Sequence, residues 1–158
     1  MNNNKEININ DLLKNLSKLR KKKNIIIGFA NGCFDLLHKG HLSLLTESKK
    51  KCDYLIIGLN SDKSIKLLKG KSRPIENETK RVSMLTKQKE VDAIIIFEEL
   101  TPLNLIINIK PNILFKGSDY LEKKIIGSNF IYQNGGKIEL IDILDGYSTT
   151  NLIKNFNS

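Results

Sequence analysis

The sequence predicts an α/β protein in which about five parallel strands form a Rossmann-like, doubly wound sheet with helices on both faces. Two observations predict it. Five short, continuous apolar runs recur along the chain, and helix-length segments separate them. Unbroken apolar runs are typical of parallel strands that are buried on both faces. Their alternation with helices indicates right-handed strand-helix-strand units.

The elements follow one another in a simple order. After a polar tail of four residues, apolar residues at helical spacing predict an amphipathic helix over Ile9–Leu19, which we expect to pack against the sheet. The predicted strands are 25–30, 54–59, 93–97, 113–115 and 138–143. Thr101 and Pro102 predict a helix N-cap followed by proline at the first helical position, and Gly135 and Gly136 lead into the last strand. We therefore expect a tail and helix at 1–24 and a single domain at 25–158.

The composition excludes several classes of protein. With 158 residues, 40% of them hydrophobic and 27% charged, the chain is neither disordered, collagen-like nor a coiled coil. No apolar run approaches the roughly 18 residues of a membrane span, and the first residues lack the apolar core of a signal peptide. Cys33 and Cys52 form no CxxC pair, so we expect reduced thiols. These observations predict a cytoplasmic protein that does not bind membranes.

The net charge of +9 permits a polyanionic partner, whether nucleic acid, anionic lipid or a phosphorylated small molecule. A basic nucleic-acid-binding module is therefore one interpretation. However, the lysines are spread over the chain, only 6% of the residues are aromatic, and no nucleic-acid-binding motif occurs. We expect no specific binding of nucleic acid.

The segment 31–41, directly after the first predicted strand, reads Asn-Gly-Cys-Phe-Asp-Leu-Leu-His-Lys-Gly-His. A glycine-bearing turn from strand to helix is where a parallel sheet binds phosphate, because backbone N–H groups and the helix dipole converge there. His38 and His41 fall on one side of the first helical turn, and Gly40 lets an anion approach the backbone. The same pair could simply cap a helix, and a zinc site would need a third ligand. In this context we interpret the histidines as donors to phosphate.

This segment resembles the nucleotidyltransferase superfamily of HxGH enzymes, and more closely its cytidylyltransferase-like branch. The resemblance continues over about residues 12–154, in the order and spacing of the family that makes ADP-heptose. It rests on Asn60-Ser-Asp62, Lys69-Gly70, Arg73-Pro74, Arg81, Lys-Gly-Ser-Asp-Tyr at 116–120 and Asp-Gly-Tyr-Ser-Thr-Thr-Asn at 145–151. Lys39 and Tyr147 are departures from the family pattern, and Tyr147 is expected to bear on sugar preference.

The resemblance implies transfer of AMP from ATP to D-glycero-β-D-manno-heptose 1-phosphate, with release of pyrophosphate, for lipopolysaccharide core or related heptoside synthesis. An alternative within the same fold is a cytidylyltransferase that acts on glycerol 3-phosphate or another phosphorylated alcohol. Physical reasoning alone leaves open the choice between ATP and CTP.

The resemblance also implies residue roles. We expect His38, His41 and Lys69 to be catalytic, without a covalent histidine intermediate. The expected sugar-phosphate contacts are Asn60, Asp62, Arg73 and Arg81. The expected nucleotide-binding residues are Asn31, Gly32, Cys33, Phe34, Asp35, Gly40, Lys116, Gly117, Asp119, Tyr120, Ser148, Thr149 and Thr150.

Alternative roles exist for three of these groups. For Asp35 we favour bonds that orient its loop, to neighbouring backbone N–H groups of the turn, over an approach to metal. Asp62, with Ser61, can equally cap a helix, and so can the hydroxyls at 148–150.

Mg²⁺ is the expected cofactor, bound mainly through the ATP phosphates. Only 24 residues precede the first predicted strand, enough for one helix. We therefore expect a standalone transferase whose sugar 1-phosphate comes from a separate heptose kinase. The sequence leaves open whether the protein forms a homodimer.

Overall fold

A computed structural model describes residues 4–120 and 124–142 of the chain. Its helices are α1 (Ile9–Leu19), α2 (Lys39–Lys49), α3 (Asp62–Lys69), α4 (Glu78–Thr86), α5 (Leu103–Ile109) and α6 (Ser128–Gln133). Its strands are β1 (Ile27–Gly32), β2 (Tyr54–Asn60), β3 (Ala93–Phe97), β4 (Ile113–Gly117) and β5 (Lys137–Ile141). Within the described residues no helix is long and apolar enough to cross a membrane.

The five strands form one parallel sheet in the order β3-β2-β1-β4-β5. The winding reverses between β1 and β4, and open α/β sheets bind their ligands at such a reversal, beyond the carboxyl ends of the strands. β1 pairs with β2 along its whole length, whereas its pairing with β4 ends at Phe29 opposite Leu114. The two strands therefore separate toward their carboxyl ends, and the separation creates a crevice.

Helices cover both faces of the sheet, which confirms the predicted fold class. On one face, Leu16 of α1 and Ile106 of α5 pack in one cluster with Phe29. On the other face, Leu45 of α2 and Leu85 of α4 pack in a second cluster. The side chain of Leu16 is completely buried, so the apolar stripe of α1 faces the sheet as predicted.

Residues 5–7 extend the sheet beyond β3. The Ile94 backbone N–H donates to the Lys5 carbonyl (2.8 Å), and the Ile7 N–H donates to the Ile94 carbonyl (2.9 Å). The sequence does not indicate this pairing, because a Lys-Glu-Ile segment is too short to show strand periodicity. The pairing covers a sheet edge that would otherwise expose backbone groups.

Several predicted boundaries are wrong. β1, β2 and β4 end at Gly32, Asn60 and Gly117, one or two residues later than predicted, and β5 spans Lys137–Ile141. β1 begins two residues later than predicted, because Asn24 has a positive φ of 60° and the Ile26 N–H bonds the Asp53 carboxylate before strand pairing starts. α5 has Pro102 itself at the N-cap position, with no side-chain capping bond, so Thr101 is not the cap. The predicted last residue of β5, position 143, lies outside the described residues.

Candidate active site

The loop between β1 and α2 carries most of the predicted site residues and is tightly folded. Phe34 and Leu36 have φ values of 47° and 57°, a left-handed conformation that is uncommon for residues other than glycine. The Phe34 side chain is buried, and its ring centroid lies 5.1 Å from that of His41. A Cβ atom at Gly32 would lie 3.2 Å from the Phe34 ring, so Gly32 permits this packing. Backbone strain of this kind concentrates at functional sites.

His38 and His41 cap the start of α2 reciprocally. His38 Nδ1 accepts hydrogen bonds from the Gly40 and His41 backbone N–H groups (3.1 and 3.4 Å), and the His38 N–H donates to His41 Nδ1 (3.3 Å). Because a ring nitrogen that accepts a hydrogen bond carries no proton, the hydrogen of each neutral ring is on Nε2. The rings stack with their centroids 3.8 Å apart. The pair therefore presents two neighbouring N–H donors at a helix N-terminus.

The surroundings hold both histidines in the neutral form. Burial lowers the pKa of His38 below its ordinary value. Burial also lowers the pKa of His41, to about 3, and the nearby charges of His38 and Lys69 act in the same direction. The carboxylate of Asp35 acts in the opposite direction but does not offset these effects. At neutral pH the two rings are thus uncharged donors.

Asp35 ties this loop to the segment 70–77 between α3 and α4. Its side chain is completely buried. Oδ2 accepts from the Ile75 N–H (2.8 Å) and from Arg73 Nε (3.0 Å), and Oδ1 accepts from the Glu76 N–H (2.9 Å). Burial opposes ionisation, but these donors outweigh it and hold the pKa of the Asp35 carboxyl below its usual range. We call Asp35, Arg73, Ile75 and Glu76 the Asp35 clasp. The carboxylate accepts from backbone N–H groups, but these lie 40 and 41 residues along the chain and not, as predicted, in the neighbouring turn.

Arg73 has a further donor in addition to the one that the clasp uses. Its side chain is 11% exposed, and its Nη2 is buried without a hydrogen-bond partner in the described part of the chain. A buried donor of this kind is costly unless a partner satisfies it. An anionic ligand is a suitable partner for a guanidinium nitrogen.

Arg81 lies beneath the two loops and is 1% exposed. Its guanidinium donates to the carbonyl oxygens of Cys33 and Asn60 (both 2.8 Å), to that of Glu76 (3.0 Å) and to Asp62 Oδ1 (2.8 Å). This arrangement differs from the expected contact between Arg81 and the sugar phosphate. A guanidinium enclosed by four protein acceptors instead fixes the carbonyl groups of three segments relative to one another.

At the carboxyl end of β2, the polar side chains hydrogen-bond other groups of the protein. The buried Asn60 side chain donates to Ser64 Oγ (3.2 Å). Ser61 caps α3 by accepting from the Ser64 N–H (3.1 Å). Asp62 remains 28% exposed beside Arg81. Of the two expected sugar-phosphate contacts here, only Asp62 reaches the surface.

Lys69 is the last residue of α3. Its positive charge lowers the pKa of both His41 and Cys33, so the ammonium group lies near the histidine pair and the loop after β1. Gly70 follows with a φ of 100° and turns the chain into the segment that carries the clasp. Burial raises the pKa of the Cys33 thiol, and the charges of Lys69, Arg81 and Arg73 offset this only in part. Cys33 is therefore a neutral thiol rather than a nucleophile.

Lys116, in β4, bridges the crevice between β1 and β4. Its Nζ donates to Asn31 Oδ1 (2.7 Å) and lies 5.3 Å from the centre of the Tyr120 ring. Burial lowers the pKa of Lys116 to about 8, although the charge of Asp119 acts in the opposite direction. The Tyr120 N–H donates to the carbonyl of Gly117, the last residue of β4 (3.1 Å).

A cleft of about 170 Å³ opens beside Lys116. Apolar residues form much of its wall, and it is lined by Asn31, Leu100, Thr101, Pro102, Lys116, Tyr120, Lys124, Ile125 and Ile126. An apolar wall with a few polar groups is the kind of lining that small-molecule sites have, but this cleft is smaller than the roughly 300 Å³ at which such sites begin.

The structure thus brings most of the predicted site residues together at the carboxyl edge of the sheet. Ser148, Thr149 and Thr150 lie outside the described residues. Sequence reasoning missed the backbone N–H groups of Ile75 and Glu76, because a backbone donor has no side-chain signature. Within residues 4–120 and 124–142, no three His, Cys, Asp or Glu side chains are grouped as metal ligands.

The chain is similar in sequence to one protein family and to several curated proteins that share one name. The model of the cytidylyltransferase-like family matches residues 29–155. The bifunctional protein HldE of Nitrobacter winogradskyi is 51% identical over 144 residues, which are 91% of this chain and 29% of that protein. The HldE protein of a Caulobacter species is 46% identical over 138 residues, which are 87% and 28% of the two chains. This chain therefore spans less than a third of the length of these relatives.

Two solved structures are similar in fold. A lipopolysaccharide core biosynthesis protein from Thermoplasma volcanium aligns with a TM-score of 0.64 and 33% identity, over 77% of this chain and 100% of that one. A pantoate-beta-alanine ligase from Francisella tularensis, in complex with beta-gamma ATP and beta-alanine, aligns with a TM-score of 0.61 over 90% of this chain and 70% of that one. At 20% identity the second likeness concerns the fold alone.

Proposed function

The chain belongs to the cytidylyltransferase-like family, and we propose that it transfers AMP from ATP to D-glycero-β-D-manno-heptose 1-phosphate, giving ADP-heptose and pyrophosphate. The product would serve lipopolysaccharide core or related heptoside synthesis. Two findings support this choice of substrate: the identity of about half to the HldE proteins and the likeness to a lipopolysaccharide core biosynthesis protein.

The observation that carries the proposed transferase activity is the paired Nε2–H donors of His38 and His41. They lie at the start of α2, directly after the loop from β1, where backbone N–H groups also favour an anion. Neighbouring donors of fixed direction suit a triphosphate whose charge shifts during the reaction.

In the proposed reaction, an oxygen of the sugar phosphate attacks the α-phosphorus of ATP. A new oxygen–phosphorus bond forms as the bond to the pyrophosphate oxygen breaks, and negative charge develops on the phosphate oxygens. His38 and His41 donate to these oxygens and stabilise the charge. Neither ring acts as a nucleophile, because each Nδ1 is committed to the backbone and each Nε2 carries the hydrogen.

The other site residues divide between the two substrates. We assign the nucleoside to the cleft beside Lys116 and Tyr120, which combines apolar walls with an ammonium group. We assign the sugar phosphate to the side of β2, where Lys69 and Arg73 supply positive charge. A dianionic phosphate is a suitable partner for both cations.

The triphosphate would hold Mg²⁺, and the ion would supply positive charge that offsets part of the phosphate charge. We assign most of its ligands to the triphosphate. The absence of a three-ligand group among the described residues supports this, as does the commitment of the Asp35 carboxylate to the clasp.

We further propose that a kinase activity outside residues 1–158, on this or another polypeptide, supplies the heptose 1-phosphate. The relatives at about 50% identity are named bifunctional proteins, and this chain matches less than a third of their length.

The test is a panel of pyrophosphate-release assays on the purified chain with Mg²⁺. ATP and CTP are each combined with heptose 1-phosphate, heptose 7-phosphate and glycerol 3-phosphate, and His41→Ala serves as the control for contaminating enzymes. We expect the fastest release with ATP and heptose 1-phosphate, a product with the mass of ADP-heptose, and no ADP from heptose 7-phosphate. Faster release with CTP and glycerol 3-phosphate would instead support the alternative cytidylyltransferase.

A further inference from the structure

The Asp35 clasp joins two segments that supply opposite halves of the candidate site. One segment is the loop after β1, which leads into the histidine pair, and the other is the segment 70–77. Three donors from segment 70–77 converge on one carboxylate that solvent does not reach. A buried carboxylate is stable only while such donors compensate for its lost hydration. The position of segment 70–77 therefore depends strongly on Asp35.

The clasp also sets the orientation of Arg73. A guanidinium is planar and rigid, so the bond from Nε to Asp35 fixes the direction of its other nitrogens. Nη2 is left without a partner among the described residues. The charge of Arg73 lowers the pKa of Cys33, which places the guanidinium close to the loop after β1.

The sheet order indicates which substrate meets this guanidinium. The cleft beside Lys116 lies between β1 and β4, whereas segment 70–77 follows β2 through α3. β2 lies on the opposite side of β1 from β4. A nucleotide that occupies the cleft and reaches the histidines leaves the β2 side to the second substrate.

We propose that Asp35 is a positioning residue for the sugar phosphate: it holds segment 70–77 against the loop after β1, so that Arg73 Nη2 meets the phosphate of the acceptor. Asp35 itself touches neither substrate. The inference rests on the proposed function, and it predicts separate effects on the two substrates, which a merely structural carboxylate would not produce.

The first test is Asp35→Asn, which keeps the size of the side chain but removes its charge. We expect the KM for heptose 1-phosphate to rise about tenfold or more, because a charge-assisted contact is lost, while the KM for ATP stays near the wild-type value. Backbone hydrogen exchange in segment 70–77 should accelerate, and exchange in β2 should not.

Arg73→Lys separates the contact from the clasp. The ammonium keeps a charge next to Asp35, but it lacks the second nitrogen of the guanidinium. We expect normal exchange in segment 70–77 together with a raised KM for heptose 1-phosphate. If Asp35→Asn does not fold, Arg73→Lys still tests whether the guanidinium contacts the sugar phosphate.

Asp92→Asn is the matched control. The Asp92 carboxylate accepts from the Leu55 N–H (2.7 Å) and from Lys49 Nζ (2.6 Å), but it lies at the amino ends of β2 and β3. It should lower stability without changing the ratio of the two KM values.

The results that would overturn the proposal are specific. One is an unchanged KM for the sugar phosphate in Asp35→Asn despite faster exchange in segment 70–77, and another is an equal rise in both KM values. If the wild-type chain binds ATP but releases no pyrophosphate with any sugar phosphate, the proposed function fails and the role of Asp35 toward that substrate fails with it. Hydrogen exchange then still decides whether the clasp holds the segment.

Discussion

Each site histidine uses its two ring nitrogens for different purposes. Nδ1 accepts a hydrogen bond from the backbone at the start of α2, and Nε2–H is left to donate. Capping the helix and binding phosphate are therefore compatible roles for these histidines and not alternatives. A substitution that preserves one purpose and removes the other can separate them.

His38→Asn and His38→Ala form such a pair. Asparagine is a good N-cap residue but is too short to replace Nε2, whereas alanine loses both the cap and the donor. We expect both variants, and His41→Ala, to lower kcat by about a hundredfold or more, as the loss of one oriented donor does in other enzymes. Of the two His38 variants, only His38→Ala should also lose about 1 kcal/mol of stability in urea unfolding. Near-normal turnover of His38→Asn would contradict the assigned role.

The pKa shifts predict how the reaction depends on pH. The pKa of His41 is lowered to about 3, so its ring does not change charge when the pH falls from 8 to 5, and burial lowers the pKa of His38, so that ring is also neutral at neutral pH and above. Lys116, with its pKa lowered to about 8, loses its positive charge as the pH rises above that value. We expect the KM for ATP to rise between pH 8 and pH 9.5, because the neutral amine attracts the nucleotide less.

Lys116→Met is the control for this pH effect. It should have a higher KM for ATP at every pH and no further rise above pH 8. Steady-state kinetics across the range measures both profiles. A rise of equal size in the methionine variant would assign the effect to another group.

At the scale of elements, α1 is part of the core rather than an appendage. Asn8 caps it by accepting from the Asp11 N–H (2.9 Å), and Leu12 and Leu16 are completely buried against the sheet. The helix contributes no residue to the candidate site. Its effect on the enzyme should therefore be on stability alone.

Leu16→Ala tests this. Because the change removes buried apolar atoms and leaves a cavity, we expect the free energy of unfolding to fall by about 2–5 kcal/mol. The KM values of the folded enzyme should not change. Lys14→Ala, on the exposed face of the same helix, should have little effect on either quantity. A changed KM in Leu16→Ala at a temperature where the protein is folded would contradict a purely structural role.

Some helix and strand bounds were predictable from the sequence and others were not. The bounds of α1 and β3 match the prediction, because helical spacing marks α1 and an unbroken apolar run marks β3. The start of β1 depends on Asn24 and on the bond to Asp53, which no local pattern reveals.

In the candidate site, the loop after β1 and the charged residues were predictable from their types and order. The contacts of Asp35 and Arg81 were not, because both side chains bond backbone groups that are distant along the chain. A sequence records a guanidinium but not the carbonyl groups that it faces.

At the scale of the whole molecule, the arginines bond protein groups, several lysines pair with carboxylates, and other lysines are exposed to solvent. All three arginines are engaged within the protein. Arg20 donates to the carbonyl groups of Ile109 and Lys110, Arg73 belongs to the clasp, and Arg81 joins three segments. Several surface lysines pair with carboxylates, as Lys49 does with Asp92. The run Lys21 to Lys23, after α1, is exposed, and among the described residues no salt bridge involves it.

This distribution predicts that nucleic acid binds weakly and without sequence preference. Arg20 and Arg81 are committed to protein acceptors and Arg73 is held in the candidate site by Asp35, so binding should depend on exposed lysines such as Lys21, Lys22 and Lys23. Fluorescence anisotropy with duplex and single-stranded DNA should detect binding at low salt, with affinity falling steeply and nearly vanishing at about 0.15 M. Replacing these three lysines by glutamine should reduce the slope of log affinity against log salt by up to about 3, because each phosphate contact contributes roughly one unit. The same replacement should leave pyrophosphate release unchanged, since the run lies at the amino edge of the sheet, opposite the histidines. Sequence-selective binding that persists at 0.15 M salt would show that the charge serves nucleic acid after all.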